Sequence, residues 1–383
     1  MKAPRAILIV LDSVGIGQAP DADLYGDHGA YTLQHTSEAA GPLRLPTLES
    51  LGLGNIPSLL PHAKPIVGLR AISTPRGAYG AMREVSRGKD TTTGHWEIAG
   101  LHLPNGLHVF PPDYPSFPAE LLKALTDFTG RGILGNKAAS GTAIIDELGE
   151  QHMRKGAWIV YTSADSVIQI AAHEDIVPLD ELYAACECLR KRCDVYPVGR
   201  VIARPFVGHA GDFTRTLNRR DFSFPPPQPT ILDVLYENGI DVTTVGKLDD
   251  IFAHRGITCK RHVENNADAM SALDTLIAQE QRGFIFVNLI DFDTLYGHRR
   301  DPQGYARCLE HTDTYLADVC IRLDENDLLI ITADHGNDPT FTGTDHTREF
   351  VPLLVRYPGL EGRNLGIRNG FYDIAQSLTD FFE

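Results

Sequence analysis

Three stretches of this chain are continuous apolar runs that end on an acidic side chain. They are Arg5-Ala-Ile-Leu-Ile-Val-Leu-Asp12, Gly283-Phe-Ile-Phe-Val-Asn-Leu-Ile-Asp291 and Asp327-Leu-Leu-Ile-Ile-Thr-Ala-Asp334. A run without alternation fits a strand buried on both faces, the environment of a parallel sheet. Ile240–Gly246 and Val351–Val355 read as further strands. Helical patterns lie between them over Thr230–Asn238, Asn266–Gln279 and Tyr305–Leu323. Strand alternating with helix predicts an α/β fold with a doubly wound core.

The middle of the chain breaks that rhythm. Helix-like stretches, Glu120–Phe128 and Leu179–Arg192, mix with strand-like pieces, Ala157–Thr162 and Tyr196–Ala203. The exit, Phe222-Ser-Phe-Pro-Pro-Pro-Gln-Pro-Thr230, is proline-rich and reads as a stiff, extended connector. The expectation is a smaller α/β domain, residues 101–221, inserted into a core made of residues 1–100 and 222–383. A chain of 383 residues accommodates two such domains.

Composition narrows the partners. Asp and Glu number 50 against 35 Lys and Arg, a net charge of −15. That excess repels nucleic acid and anionic membrane, so neither is expected as a partner. The apolar runs have strand length, well short of the ~20 residues that cross a bilayer. The start, Met1-Lys2-Ala3-Pro4-Arg5, carries no apolar leader or cleavage site, so a cytoplasmic protein is expected. A monomer is the expected state. Cys186, Cys188 and Cys193 follow a C-x-C-x4-C spacing with no fourth ligand near them, and they fall on a helical pattern. They read as unpaired thiols rather than a zinc site.

The chemistry concentrates where the apolar runs end. In an open α/β sheet, ligands bind beyond the carboxyl ends of the strands. Parallel strands would bring Asp12, Asp291 with Asp293, and Asp334 to one edge, and convergent carboxylates call for cations. His298 follows Asp293, His335 follows Asp334, and His346 comes soon after. Mixed Asp and His ligands suit Mn²⁺, Fe²⁺ or Zn²⁺ better than Ca²⁺. Each feature alone has a plainer reading, a capping Asp or a surface His; three at strand ends argue for a metal centre. The string Gly88-Lys-Asp-Thr-Thr-Thr-Gly-His-Trp-Glu97 has two readings also. One hydroxyl could cap a helix. Alternatively, a hydroxyl nucleophile stands at a helix start, where backbone N–H groups favour phosphate. Such a nucleophile needs a base or a metal at neutral pH.

These residues together resemble the alkaline phosphatase superfamily: a first-strand Asp, a Thr or Ser near residue 90, Asp-x4-His, Asp-His-Gly and a final His. Longer strings resemble its phosphopentomutase family. They are Gly88–Glu97, Asp-Phe-Asp-Thr-Leu-Tyr-Gly-His-Arg-Arg, Thr-Ala-Asp-His-Gly-Asn-Asp-Pro-Thr, Tyr-Thr-Ser-Ala-Asp-Ser-Val and Gly-Arg-Val-Ile-Ala-Arg-Pro-Phe. The resemblance runs from Arg5 to the last strand and implies an alkaline-phosphatase-like core with an inserted cap.

The resemblance also implies roles. One divalent cation, Mn²⁺ by expectation, is held by Asp293, His298 and His346. A second is held by Asp12, Asp334, His335 and the nucleophile, Thr91, four residues before the histidine of Gly-His. Asp291 then lies outside the ligand set, although spacing alone leaves it open. Ser163, Asp165, Val167, Arg200, Ile202 and Arg215 from the cap, with Lys247 from the core, are the implied substrate contacts. Guanidinium groups and a carboxylate suit a phosphosugar. The implied activity interconverts ribose 1-phosphate and ribose 5-phosphate, and the 2-deoxyribose pair, through phosphothreonine and a bisphosphorylated sugar. Cap closure would keep water out. A bisphosphorylated sugar as activator, or a kinase, would first load Thr91. The alternatives are a cofactor-independent phosphoglycerate mutase, a phosphatase, or a metal-binding protein without catalysis. Ser would be expected in place of Thr91 for the first of these.

Overall fold

The computed structural model describes residues 3–61, 64–163, 166–193 and 196–383. The chain divides into two compact units, Met1–Asn105 with Pro226–Glu383, and Gly106–Pro225. In chain order, β1 (Arg5–Leu11) and β2 (Ala78–Arg83) belong to the first unit. The second unit holds β3 (Ile133–Ala138), β4 (Trp158–Thr162), β5 (Val167–His173), β6 (Arg200–His209), β7 (Asp212–Arg215) and β8 (Arg220–Ser223). Then β9 (Val242–Val245), β10 (Cys259–Arg261), β11 (Gly283–Leu289), β12 (Asp327–Thr332), β13 (Phe350–Arg356) and β14 (Asn364–Arg368) return to the first.

The eight strands of the first unit form one sheet in the order β10-β9-β11-β1-β12-β13-β2-β14. The three acid-terminated runs lie side by side at its middle, with β1 parallel to both β11 and β12. All residues of these three strands are buried, which explains why they do not alternate. Their registers are aligned: Leu11 stands opposite Leu289, and Val10 opposite Thr332. The acids that follow are therefore level at one edge of the sheet. The helices Asn266–Ala278 and Pro302–Arg322 supply the crossovers that parallel strands require.

The sheet is mixed rather than wholly parallel. β13 runs antiparallel to both β12 and β2. Residues 333–349 contain no helix, so the chain turns back from β12 without a crossover. This reversal delivers the residues just before Phe350 to the edge where Asp12 and Asp334 lie. At the opposite edge Arg5 donates from Nε to Asp327 at 2.9 Å, and Arg282 donates to the same carboxylate at 3.0 Å.

The second unit has its own sheet, β3-β4-β5-β6-β7, with β8 paired to β6. One face packs the helices Ala119–Thr129 and Leu179–Arg192 over Trp158, Ile168, Ile170 and Val201. The other packs Gly141–Lys155 over Ile159, Tyr161 and Phe206. Cys186 and Cys193 are buried in the first of these cores, and burial pushes the Cys186 thiol up. The unit begins at Gly106 and ends at Pro225, a few residues beyond the expected 101–221. At the exit the reason is pairing: Phe222 stands opposite Val201, and Phe224 N–H donates to Gly199. The helix Gly141–Lys155 and β2, β3, β5, β7 and β14 were outside the sequence reading. Among the described residues, no helix is long and apolar enough to cross a membrane.

Leu8 is fully buried at the centre of β1. Leu8→Ala should cost about 3 kcal/mol through lost transfer energy and a residual cavity. A urea titration would read this as a lowered midpoint, and an unmoved midpoint would show that this strand is not central to the fold's stability.

Candidate active site

Asp12 directly follows β1, Asp334 lies two residues past β12, and Asp293 lies on the turn after β11. That turn, Phe292–Gly297, is wound wider than an α-helix, with the His298 N–H donating to the carbonyl of Asp293 five residues back. The wide winding brings Asp293 and His298, five apart, onto one side. His298 Nε2 lies 3.0 Å from Asp293 Oδ2, and His346 Nε2 lies 3.4 Å from Oδ1. The β13 reversal supplies His346. On the other side, His335 Nε2 lies 3.4 Å from Asp12 Oδ1 and 3.2 Å from Asp334 Oδ2. The ligand atoms of Asp12, Asp334 and His335 lie within 4.8 Å of one another, and so do those of Asp293, His335 and His346. His335 thus stands between the two groups, with its ring stacked on that of His346 at 4.0 Å.

Asp291 takes no part. Its carboxylate accepts from Asn266 N–H at 3.0 Å, at the start of a helix. In a further acidic group, Asp249, Asp250 and His262, the buried Asp249 is already paired with Lys260 at 2.9 Å.

Thr91 opens the helix Thr91–Ile98. Asp90 caps it, accepting from Thr93 N–H at 3.1 Å and from the Thr93 hydroxyl at 2.6 Å. The Thr93 hydroxyl is therefore spent on the cap, whereas Thr91 Oγ1 lies 3.2 Å from His335 Nε2. The helix cap is thus the Asp90 carboxylate and not a threonine hydroxyl, because the carboxylate accepts the Thr93 N–H, while Thr91 faces the Asp and His cluster. Gly94 permits this placement. A Cβ there would lie 2.2 Å from the carbonyl oxygen of Asp334.

The electrostatics are those of an anionic, enclosed site. Burial, followed by repulsion from Asp334 and Asp293, holds the Asp12 carboxyl well above the usual carboxylate range. Burial also opposes ionisation of Asp293 and Asp334, yet neighbouring histidines hold both below that range: His346 and His298 for the first, His335 and His95 for the second. Burial alone would lower the His335 ring; Asp334 raises it.

The residues present fit divalent cations. Asp12 Oδ1 is buried without a hydrogen-bond partner, as is Asp334 Oδ2. His335 donates from Nδ1 to the Gly336 carbonyl at 3.1 Å, and His298 from Nδ1 to the Thr344 carbonyl at 2.6 Å. With Nδ1 so engaged, the neutral ring of each turns its Nε2 lone pair toward the cluster, as metal-binding histidines do. The Nε2 atoms of His298 and His346 face each other at 3.2 Å, a contact that a shared cation would relieve.

Several residues around the cluster were not anticipated. His95 places Nδ1 at 2.9 Å from the Thr91 carbonyl and 3.1 Å from Asp334 Oδ2. Asn337 donates to Asp293 at 2.7 Å, and Asn288 donates to Asp12 at 2.9 Å. Asn288 did carry a signal, as the one polar residue inside the apolar run of β11. The expected substrate contacts separate. Val167, Arg200, Ile202 and Arg215 fall on one face of the second unit's sheet by register, Val167 opposite Arg200 and Arg215 opposite Phe206. Ser163 follows β4, Lys247 follows β9 in the first unit, and Asp165 lies outside the described residues.

Groups that orient metal ligands affect affinity about 10–100-fold when removed. Asn288→Ala should weaken divalent-cation binding by an amount in that range without changing the number of sites. Calorimetric titration of metal-free protein with Mn²⁺ would measure it; unchanged affinity would mean that Asn288 does not orient Asp12.

Comparison with known proteins fits this geometry. The Metalloenzyme superfamily matches residues 231–383, the part that contains Asp293, His298, Asp334, His335 and His346. The phosphopentomutase of Caldanaerobacter subterraneus subsp. tengcongensis is 54% identical over 382 residues, 99% of this chain and 94% of the relative. That of Alkaliphilus oremlandii is 49% identical over 381 residues, 99% of this chain and 95% of the relative. Among solved structures, the PH0037 protein of Pyrococcus horikoshii shares the fold at TM-score 0.51 and 14% identity, covering 100% of this chain and 98% of that one. Leishmania mexicana phosphoglycerate mutase shares it at TM-score 0.50 and 13% identity, covering 100% and 96%. Identity of about half the residues over nearly the full length places the chain: it belongs to the phosphopentomutase family, isomerases that transfer phosphate.

Proposed function

We propose that this chain interconverts ribose 1-phosphate and ribose 5-phosphate, and the 2-deoxyribose pair, by passing the phosphoryl group through Thr91. The observation that carries the reading is the Thr91 hydroxyl, at the start of a helix and 3.2 Å from His335 Nε2. A helix start favours an arriving phosphate through its free N–H groups. The ligand set assigned to one cation is Asp293, His298 and His346, and to the other Asp12, Asp334 and His335 with Thr91. Mixed carboxylate and imidazole donors suit Mn²⁺, Fe²⁺ or Zn²⁺, and Mn²⁺ is proposed among them on the family resemblance. Bound divalent cations would offset charge on the transferring group and favour the Thr91 alkoxide.

In the proposed cycle, phosphorylated Thr91 meets a sugar monophosphate. A sugar hydroxyl attacks phosphorus, the bond to Thr91 Oγ1 breaks, and the proton lost by the sugar restores the threonine hydroxyl. The bisphosphorylated sugar then reverses its orientation and returns its other phosphate to Thr91. A bisphosphorylated sugar supplied as activator would load the enzyme by that same second half. Ser163, Val167, Arg200, Ile202 and Arg215 of the second unit and Lys247 of the first are the proposed sugar-phosphate contacts. Asp165 is proposed with them on the resemblance alone. Guanidinium forks match phosphate oxygens in pairs, which suits Arg200 and Arg215 to the group that is not being transferred.

Thr91→Val keeps the branching and nearly the volume but removes the oxygen. It should retain metal and lose mutase activity by about three orders of magnitude or more; Thr91→Ser should keep part of it. Mass spectrometry of protein loaded with a bisphosphorylated pentose should place phosphate on Thr91. Full activity in Thr91→Val, or phosphate on Thr92 or Thr93, would overturn the assignment. Parallel assays with 3-phosphoglycerate and an aryl phosphate should give little turnover, and preference for either would move the substrate assignment.

Elemental analysis under saturating Mn²⁺ should find about two cations per chain, as a two-metal phosphoryl-transfer site requires. His346→Ala should weaken one of them. Chelation should abolish activity, with recovery on adding Mn²⁺ back; activity that survives chelation would remove metals from the mechanism.

A further inference from the structure

Arg348 lies between the proposed ligand His346 and β13, and it is only 2% exposed. Its guanidinium spends every donor. Nε contacts both Asp21 carboxylate oxygens at 3.2 Å, and Nη2 donates to Asp21 at 3.0 Å. Nη1 pairs with the Glu84 carboxylate, itself only 3% exposed at its side chain. The remaining donors reach main-chain carbonyls, Nη2 to Glu84 at 2.7 Å and Nη1 to Gly88 at 2.6 Å. The Arg348 main-chain N–H donates to Asp27 at 2.9 Å, and Asp27 in turn holds Lys89 at 3.1 Å.

Three of these bonds, to the Glu84 carboxylate and to the Glu84 and Gly88 carbonyls, fall on the segment between β2 and the helix that begins at Thr91. Both ends of Glu84–Gly88 are fixed by one side chain. Gly88 then abuts the helix cap: a Cβ on it would lie 2.8 Å from Thr93 Oγ1 and 3.1 Å from Asp90 Oδ2. The Gly88 main chain thus lies against the cap of the helix that Thr91 opens, which puts the clamped carbonyl next to the groups that place Thr91. Arg348 sits two residues past His346, so one short stretch of chain fixes both a proposed metal ligand and the approach to the nucleophile.

We infer that Arg348 is a positioning residue for phosphoryl transfer, setting the place of Thr91 Oγ1 by clamping the Glu84 and Gly88 carbonyls. It contacts neither substrate nor metal. The bidentate, five-donor geometry is what the role needs, and a lysine cannot reproduce it. The inference rests on Thr91 as the nucleophile.

A displaced nucleophile costs rate more than binding, and a misplacement of ~1 Å can cost about 100-fold. The test is Arg348→Gln beside a control, Arg5→Gln. Arg5 is equally buried and paired with Asp327, but at the opposite edge of the sheet. Both variants should melt at lower temperature than the parent. Arg348→Gln should lower kcat about 100-fold while KM for the sugar phosphate and the count of bound Mn²⁺ stay within about twofold; Arg5→Gln should leave kcat unchanged. Arg348→Ala, whose truncation leaves space for the missing group, should regain part of its kcat in added guanidinium at concentrations too low to unfold it. Loss of kcat in both variants alike would overturn the inference, because general loosening then explains it. So would an unchanged kcat in Arg348→Gln with phosphate still mapping to Thr91, which leaves the nucleophile intact. Phosphate mapping elsewhere in the parent enzyme would overturn the nucleophile and this inference with it.

Discussion

Buried like charge at one edge of the sheet is the constraint around which this structure is organised. The aligned registers of β11, β1 and β12 bring Asp293, Asp12 and Asp334 together where water is scarce. Carboxylates in such a place repel, and burial followed by that repulsion raises the Asp12 carboxyl. The surrounding structure answers with positive or donating groups. His335 lies between the two carboxylate groups, Asn288 and Asn337 each donate to one carboxylate, and His95, on the helix that Thr91 opens, lies 3.1 Å from Asp334 without a hydrogen bond to it. Two carboxylate oxygens are left without donors, and those are the ones a divalent cation would take.

Holding that arrangement falls largely to the three residues before β13. Thr347 exchanges main-chain hydrogen bonds with Gly336, fixing the turn that carries His335. Arg348 clamps the segment that leads to Thr91. The Glu349 carboxylate accepts from Gly17 N–H at 3.0 Å, from Thr32 N–H at 2.9 Å and from the Thr32 and Thr347 hydroxyls. Burial, followed by Asp338, pushes the Glu349 carboxyl up to about 7. Gly15 and Gly336 are required beside it, since a Cβ on either would lie 2.4 Å from a Glu349 oxygen. All three side chains are buried, and each reaches a different loop of the site. This convergence is possible only because β13 runs against its neighbours and so begins at the edge where the Asp and His cluster lies.

Much of the fold was legible in the residues. Unbroken apolar runs are what a strand covered on both faces must look like, so β1, β11 and β12 were readable with their starting residues, and each ends one or two residues before the acid that closes its run. The helix Leu179–Arg192 was readable to the residue. Among the elements missed, β7 and β14 are short or half-exposed, where no burial pattern distinguishes strand from loop, whereas β5 was missed although all seven of its residues are buried. The helix Gly141–Lys155 was missed although Ser140 caps it, accepting from Ala143 N–H. The direction of β13 was also out of reach, because a strand reads the same whichever way it runs.

The sequence by itself determined the chemistry at the edge: Asp and His at the ends of buried strands, and a hydroxyl before Gly-His. Those identities follow from local rules, the burial of a strand and the donor types a cation accepts. Only the tertiary structure decided which acids belong together. Asp291 and Asp293 are two residues apart and alike in sequence, yet the wide turn after β11 sends one to a helix start and the other to the cluster. It likewise separated Thr91 from Thr93, since the Asp90 cap consumes one hydroxyl and leaves the other facing His335. The roles of Arg348 and Glu349 have no local signature at all. They depend on partners hundreds of residues away in the chain, which come within hydrogen-bond reach only after the sheet has formed.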